Sequence, residues 1–371
     1  MSSFTGTTAT KPKKASHGST VEGSGSLPTM AFTEAAVRTT RPGQYDQTRT
    51  LTDSTQSLPL MELPTLAGYL TSVIIRVDIE GSAGGVFGDD GAAAAIVAGL
   101  QDVNGTDIFA AAPGDEIDLV NLTGGWASQG FEPILDPEGT TVLWFRLPVE
   151  VTPEDGFGSL ANTSSASTFR VPLALAPVGK VFSTLPADPV TVRVRSFIEG
   201  WYRPKDVIAG HPVQTAPPAH GAVMKHTRDV WDVRSGEQNR RLSRVGWYVR
   251  TILLIARDAG TGARTDEIWP ERWTFKQNDA VIRQWSDDYW RQVMAQQLGL
   301  SLADLPVGLR FFSWCADTGD GRVGFETKRQ YLTTSAPDNL SLLAEDFTGS
   351  GNVVIITQDI AFQSATAAGG Q

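Results

Sequence analysis

From Leu58 onward the apolar positions fall in short β-rich runs cut by Gly, Pro, Asn and Asp. In the first half the clearest are Leu70–Ile79, Val142–Val151, Phe169–Ala176 and Val190–Ile198. The last alternates strictly: Val190, Val192, Val194 and Ser196 lie on one face, and Thr191, Arg193, Arg195 and Phe197 on the other. That is the period of a half-buried strand. Strand texture resumes with Trp247–Ala256, Trp269–Phe275, Leu309–Cys315 and Val353–Phe362. Between Asp279 and Leu298 the spacing of Ile282, Trp285, Tyr289, Val293 and Leu298 predicts a helix, with Asn278 or Asp279 as cap and Gly299 as its end. Many short strands separated by turn signals argue for a sandwich or barrel and against an α/β fold.

Two stretches interrupt this texture. Residues 1 to about 30 have no periodicity, and Gly18 to Ser26 has the composition of a flexible segment. Pro204, Pro212, Pro217 and Pro218, with Gly210 and Gly221, mark a linker, because prolines that dense do not sit inside a sheet. The order of landmarks on the two sides of this linker recurs. The segment from Gly68 to Asp78 matches that from Gly246 to Asp258, and Leu143 to Pro148 resembles Leu309 to Trp314. Leu160-Ala-Asn-Thr before Phe169–Ala176 resembles Leu332-Thr-Thr-Ser before Leu340–Ala344, and the strands at Val190 and Val353 close the two halves. Four matches in one order at nearly constant offset predict two copies of one strand plan. The expected architecture is all-β: two tandem eight-stranded jelly-roll β-sandwiches with a short helix in the second. The predicted boundaries are a flexible arm over 1–54, a first roll over 55–203, a linker over 204–222, a second roll over 223–363 and a tail over 364–371.

Composition narrows the function. The chain has 371 residues, a formal net charge of −10 and a single Cys, so an internal disulfide or a Cys-based metal site is excluded. No apolar run reaches the length of a spanning helix, and the N-terminus lacks the apolar core of an export signal. Residues 1–60 carry a net charge of +2, residues 61–200 carry −12 and residues 201–371 are neutral. The acidic first half repels phosphate and argues against a nucleic-acid surface there. The compact basic cluster is Lys11, Lys13 and Lys14 in the Gly/Ser/Thr-rich arm, a composition suited to anionic lipid or nucleic acid and equally to a solvated tail.

Active-site signatures are scarce. Nucleophile elbows, phosphate-binding loops and zinc-protease motifs are missing. Asp317-Thr-Gly-Asp-Gly-Arg has glycines where a calcium loop needs ligands, so it reads as a hairpin turn. His211, His220 and His226 straddle the linker without metal-site spacing, and Cys315 lies in an apolar run suited to burial. The carboxylate pairs Asp89-Asp90, Asp115-Glu116, Glu154-Asp155 and Asp287-Asp288 could in principle run glycoside hydrolysis. Eight of the ten Trp follow residue 200, so a sugar-stacking surface is a second possibility beside core packing. Asn104, Asn121, Asn162 and Asn339 head glycosylation-type triplets that, without an export signal, read as loop composition. The sequence assigns no catalytic residue, cofactor or metal.

Over roughly residues 55–363 the plan resembles the double jelly-roll major capsid proteins of tailless, membrane-containing double-stranded DNA viruses, of the tectivirus type. The likeness is carried by Leu58-Pro-Leu-Met-Glu-Leu-Pro with Gly68-Tyr-Leu-Thr-Ser-Val-Ile-Ile-Arg-Val, and by Leu143–Val149 followed by Gly158-Ser-Leu-Ala-Asn. In the second half it is the helix followed by Leu305-Pro-Val-Gly-Leu-Arg-Phe-Phe. The resemblance implies two rolls standing side by side, a homotrimer forming a pseudo-hexameric capsomer, and an icosahedral bacteriophage shell around an internal membrane. It further implies a non-enzymatic protein, made in the host cytoplasm and resident in the virion. The implied partners are neighbouring trimers, membrane lipids, and minor capsid and vertex proteins, with no direct sequence-specific nucleic-acid binding. Lys11, Lys13 and Lys14 would then face the membrane. Two other readings stay open: a carbohydrate-binding or carbohydrate-cleaving β-sandwich protein, and a vertex or spike protein of the same virus type.

Overall fold

A computed structural model describes residues 27–88, 90–126, 134, 136, 139–152, 155–163, 169–218, 222–242, 248–315, 331–334 and 338–362. The first half begins with a short helix, α1 (Phe32–Ala35), and continues through β1 (Arg38–Thr50), β2 (Gln56–Ser57), β3 (Met61–Glu62), β4 (Gly68–Glu80), β5 (Val86–Phe87), β6 (Ile96–Gln101) and β7 (Asp107–Pro113). Helix α2 (Gly114–Gly124) leads into β8 (Thr140–Pro148), β9 (Leu160–Asn162), β10 (Arg170–Val171), β11 (Leu173–Leu175), α3 (Val178–Val181), β12 (Phe182–Thr184) and β13 (Thr191–Tyr202). A small hairpin, β14 (Val207–Ile208) and β15 (His211–Pro212), separates the halves. The second half runs through β16 (Ala222–Val233), β17 (Gly236–Arg241), β18 (Tyr248–Asp258), β19 (Pro270–Gln277), β20 (Ala280–Ser286), α4 (Asp287–Leu298), β21 (Leu309–Ser313), β22 (Leu332–Thr333), β23 (Leu340–Phe347) and β24 (Gly351–Phe362).

Each half is a jelly roll. In the first, one sheet has the order β1-β13-β4-β8, and β2, β11, β6 and β7 form the facing sheet, with β3 and β10 extending it. In the second, β16-β24-β18-β21 faces β17-β23-β19-β20. Eight strand positions therefore recur in the same sheet order, as the repeated landmarks predict. The strand neighbours repeat as well: β4 lies between β13 and β8, and β18 lies between β24 and β21. Even the minor match holds, since β9 pairs with the start of β4 and β22 with the start of β18.

The two rolls share one sheet. Strand β16 lies parallel beside β7 at His226 and Phe109, so the order β2-β11-β6-β7-β16-β24-β18-β21 runs unbroken from one roll into the other. Strand β13 keeps the alternation read from its sequence, with Val192, Val194, Ser196 and Ile198 buried between more exposed neighbours. Strand β18 is buried on both faces, because the second roll's core lies beneath it and α2 of the first roll packs above it. The second core is largely aromatic. Trp273 meets Trp231, Trp269, Trp290 and Phe347 edge to face at 5.6–6.4 Å.

Four expectations need correction. The helix predicted over Asp279–Leu298 begins only at Asp287. Asn278 and Asp279 have φ of 50° and 64° and form the turn of a hairpin in which Trp285 faces Trp273. Both residue types tolerate that left-handed conformation, and Ser286 takes the cap position. Gly299, with φ of 68°, does end the helix. The first roll also has a helix, α2, which periodicity missed because α2 is buried on nearly all sides and has no polar stripe. The stretch assigned to the arm holds β1, an edge strand whose thirteen residues are mostly exposed and polar, so no hydrophobic pattern betrays it. The linker also carries strand pairing, with Pro212 tolerated at the end of a two-stranded hairpin.

Candidate assembly interface

Among the described residues, charged side chains are buried together in the seam between the rolls. The first roll contributes Asp90 and, from the first turn of α2, Asp115 and Glu116. The second contributes Arg228 of β16, Arg257 of β18 and Arg264. The Arg257 guanidinium donates to Asp90 Oδ2 at 2.8 Å, Asp115 Oδ2 at 2.5 Å and Glu116 Oε1 at 3.2 Å. Arg228 grips both oxygens of Glu116 at 2.7 and 3.1 Å, and Lys180 reaches Asp90 at 3.2 Å. Burial pushes the Asp115 carboxyl upward, and Asp90 and Glu116 add to this against the pull of Arg257. The balance at Asp90 goes the other way: despite burial, Arg257 and Lys180 hold its carboxyl below the usual range.

The far end of α2 is held by a second arginine of the same strand. Helix α2 is about 16 Å long. At its C-terminal end Arg250 donates to the Gly124 carbonyl at 2.9 Å and to Gln358 at 3.1 Å, and lies 4.8 Å over the Trp126 ring. Carboxylates in the first turn and a cation at the last carbonyls both complement the helix dipole. Where β7 meets β16, His226 is buried against Phe109 at 4.5 Å and Trp126 at 6.2 Å. Neither ring nitrogen has a hydrogen-bond partner among the described residues. Burial, aided by the nearby Arg250 charge, pulls the His226 pKa down to about 3. On the other side of the first roll, Glu150 is buried with Arg38 as its hydrogen-bond donor, and burial pushes its carboxyl up to about 7.

The N-terminal segment is pinned to one pole of the first roll. Phe32 inserts edge-on between Tyr69 and Trp201 at 5.6 and 5.7 Å, and Met30 bridges to Val213 after the small hairpin. Beside it, Ala35, Val37, Tyr202, Lys205, Val207 and Ile208 line an open groove of about 610 Å³. Val37 and Val207 are exposed there, next to Arg203 and Lys205. Lys11, Lys13 and Lys14 lie outside the described residues.

The other sequence candidates separate. Asp90, Asp115 and Glu116 come together, but around arginines in a closed seam and not in a cleft. Asp287 is held by Arg310 at 2.6 and 2.8 Å, while Asp155 caps its own turn at Thr152 and Phe157. Trp231, Trp269, Trp273, Trp290 and Trp314 are core residues, as core packing requires, and form no sugar-stacking surface. His211 lies on the small hairpin and His226 in the seam. No three metal-ligating side chains gather among the described residues. Cys315 is buried beside Ser313. Asn121 and Asn162 are buried and donate to backbone carbonyls, which rules them out as glycan acceptors. Asp89, Glu154, His220, Trp247 and the 317–322 turn lie outside the described residues. Sequence reasoning missed Arg228, Arg250 and Arg257 as seam residues; the available signal was an arginine inside the otherwise apolar run of β18.

Two predictions follow from this geometry. Arg257→Met leaves three carboxylates in the seam without their shared cation and should cost about 3–5 kcal/mol in urea denaturation. Arg193→Met, at the exposed and solvent-screened pair with Asp46, should shift the urea midpoint far less. Equal effects would refute a special role for the seam. The pH dependences of His226 and Glu150 have opposite signs. The depressed His226 pKa gives stability that is present above 6.5 and lost as pH falls toward 3, by up to about 1.4 kcal/mol per unit. The raised Glu150 pKa gives stability that is present below 4.5 and lost as pH rises toward 7. Relative to wild type, His226→Leu should therefore gain melting temperature as pH falls from 6.5 to 4.5, and Glu150→Gln should gain it as pH rises over the same interval. Parallel profiles for the two variants would contradict both assignments.

No family model matches the sequence, and no curated protein matches it significantly. Solved structures do. The crystal structure of the STIV major capsid protein superposes with a TM-score of 0.58 at 10% identity, over 90% of this chain and 100% of that one. A chain of the PBCV-1 virus capsid gives 0.56 at 10% identity, over 88% and 93%. The major capsid protein from bacteriophage PM2 gives 0.52 at 11% identity, over 88% and 98%. At such identities the likeness is one of fold, and the near-complete coverage of both partners extends it to the tandem arrangement. The chain thus has the double jelly-roll fold found in these viral capsid proteins.

Proposed function

We propose that the chain is a major capsid protein, a structural subunit whose mechanism is packing. Three copies form a pseudo-hexagonal capsomer that tiles an icosahedral virion shell. The observation that carries this reading is the matched pair of rolls joined through one continuous sheet and a charged seam. A three-fold ring of such chains presents six similar sandwiches, so a symmetric trimer can fill a six-neighbour lattice position. The fold likeness to capsid proteins of three viruses supports it. So does the use of Asp90, Asp115, Glu116 and Asp287 in ion pairs and of Trp231, Trp269, Trp273, Trp290 and Trp314 in the core.

The shell encloses a membrane in this reading, with the N-terminal arm directed toward lipid. The pole where the arm meets the first roll combines exposed Val37 and Val207 with Arg203 and Lys205, the apolar-plus-basic mixture that favours an anionic interface. The arm itself adds Lys11, Lys13 and Lys14.

Light scattering of the purified protein should give a mass near three times 39.8 kDa, and negative-stain images of the peak should show hexagonal outlines. A stable single-chain mass would refute the capsomer. Vesicles of neutral lipid with a quarter anionic lipid should sediment the protein at low salt. Replacing Lys11, Lys13 and Lys14 together by Ala should weaken binding by roughly 100-fold, at about 1 kcal/mol per lysine. Unchanged binding would remove the arm from the membrane reading.

A further inference from the structure

Residues 27–37 lie as a strap across one pole of the first roll. Among the described residues three backbone hydrogen bonds join this strap to the rest of the chain. Met30 N donates to the Pro212 carbonyl at 2.8 Å, Gln214 N to the Met30 carbonyl at 3.0 Å and Tyr202 N to the Val37 carbonyl at 2.9 Å. His211 Nδ1 lies 3.1 Å from the Pro28 carbonyl. Between these points side chains hold the strap. Phe32 is wedged between Tyr69 and Trp201, and Arg38, at the strap's end, lies 4.9 Å over the Trp201 ring while donating to Glu150. A segment tied by so few backbone bonds belongs to the low end of local stability.

Beneath Arg38 lies a polar site that the roll leaves incomplete. Glu150 is 1% exposed, and its Oε2 has no hydrogen-bond partner among the described residues. Trp201 Nε1 and Ser159 Oγ are buried without partners in the same way. The bridge between Thr152 and Phe157 closes a tight hairpin, and Glu150 and Ser159 each stand two residues outside it on opposite strands. Trp201 Nε1 and Ser159 Oγ lie 3.0 and 3.3 Å from the point where a side chain on Gly156, in the same hairpin, would begin. A carboxylate oxygen, an indole N–H and a hydroxyl are thus buried together under the strap. An ionised Glu150 there needs water that the closed strap keeps out, whereas a neutral carboxyl does not.

We infer that the strap is a latch closed over a buried proton-binding site at Glu150, and that loss of the proton releases it. The charged groups facing Glu150 are Arg38 of β1, Arg146 of β8 and Glu199 of β13. Burial outweighs the two arginines, Glu199 adds to it, and the carboxyl rises to about 7. Opening hydrates Glu150 and returns it to its ordinary value of 4.5, so the open form binds the proton less well and rising pH favours it. Once released, residues 27–37 extend by roughly 3.3 Å each and lengthen the tether of everything N-terminal to them. The latch lies within one chain and stands independently of the capsomer reading.

Hydrogen exchange of the full chain, read by mass spectrometry at about pH 6 and about pH 8.5, tests it. Wild type is compared with Glu150→Gln at each pH, so that the intrinsic pH dependence of exchange and any contribution of His211 cancel. In peptides covering residues 27–37 the wild-type to variant ratio of exchange rates should be roughly 10-fold higher at the higher pH, as a carboxyl titrating at 4.5 when open and about 7 when closed requires. Peptides from β24 should keep a constant ratio. Phe32→Ala removes the wedge without touching Glu150 and should expose the strap at both pH values, abolishing the difference. A strap ratio that stays constant with pH, or changes in step with β24, would overturn the latch. So would a strap that remains protected in Phe32→Ala.

Discussion

Four cations and three carboxylates sit together where the two rolls meet, and the arrangement of the molecule depends on how that charge is satisfied. Removing Asp115 and Glu116 from water is costly, and the cost is offset only because Arg257 and Arg228 reach them from the other roll at hydrogen-bonding distance. Among the described residues Asp115 and Glu116 have no ion-pair partner within their own roll. The charges therefore disfavour any arrangement in which the rolls separate or slide, while the apolar packing of α2 on β18 supplies the non-directional adhesion. Arg250 at the other end of the helix fixes its direction. A helix held at both ends by arginines seven positions apart on one strand has a single register.

That seam explains why the two rolls share a plan yet differ in detail. The sheet that receives α2 needs arginines on its outer face at Arg250 and Arg257, and β18 carries them within an otherwise apolar strand. The equivalent outer face of the first roll lies open and is instead covered by its own side chains. Arg76 and Arg195 share Asp78, and Arg146 pairs with Glu199 at 2.7 Å. The helices diverge in the same way. Helix α2 is buried on nearly every side because it is sandwiched, whereas α4 keeps an exposed face with Tyr289, Gln292 and Gln296 and buries Trp290 and Met294. Duplication preserved the strand order, and burial then adapted each copy to its neighbours.

The strand plan was legible in the amino-acid sequence. Apolar alternation, turn residues and the repeated landmarks are local signals, and each reports whether a segment can bury one face. They specified all-β architecture, tandem duplication and the strands equivalent between the halves, and the resemblance to double jelly-roll proteins followed from that order. The same locality explains the errors. An edge strand such as β1 buries little and reads as a tail. A sandwiched helix such as α2 loses its stripe, and a hairpin turned by Asn278 and Asp279 imitates a helix cap. What only the tertiary structure decided was the destination of the charge. Asp90, Asp115 and Glu116 read as solvated loop acids or catalytic candidates because their arginine partners lie more than a hundred residues away in the chain. A buried ion pair depends on distance in space, and spacing along the sequence carries no record of it.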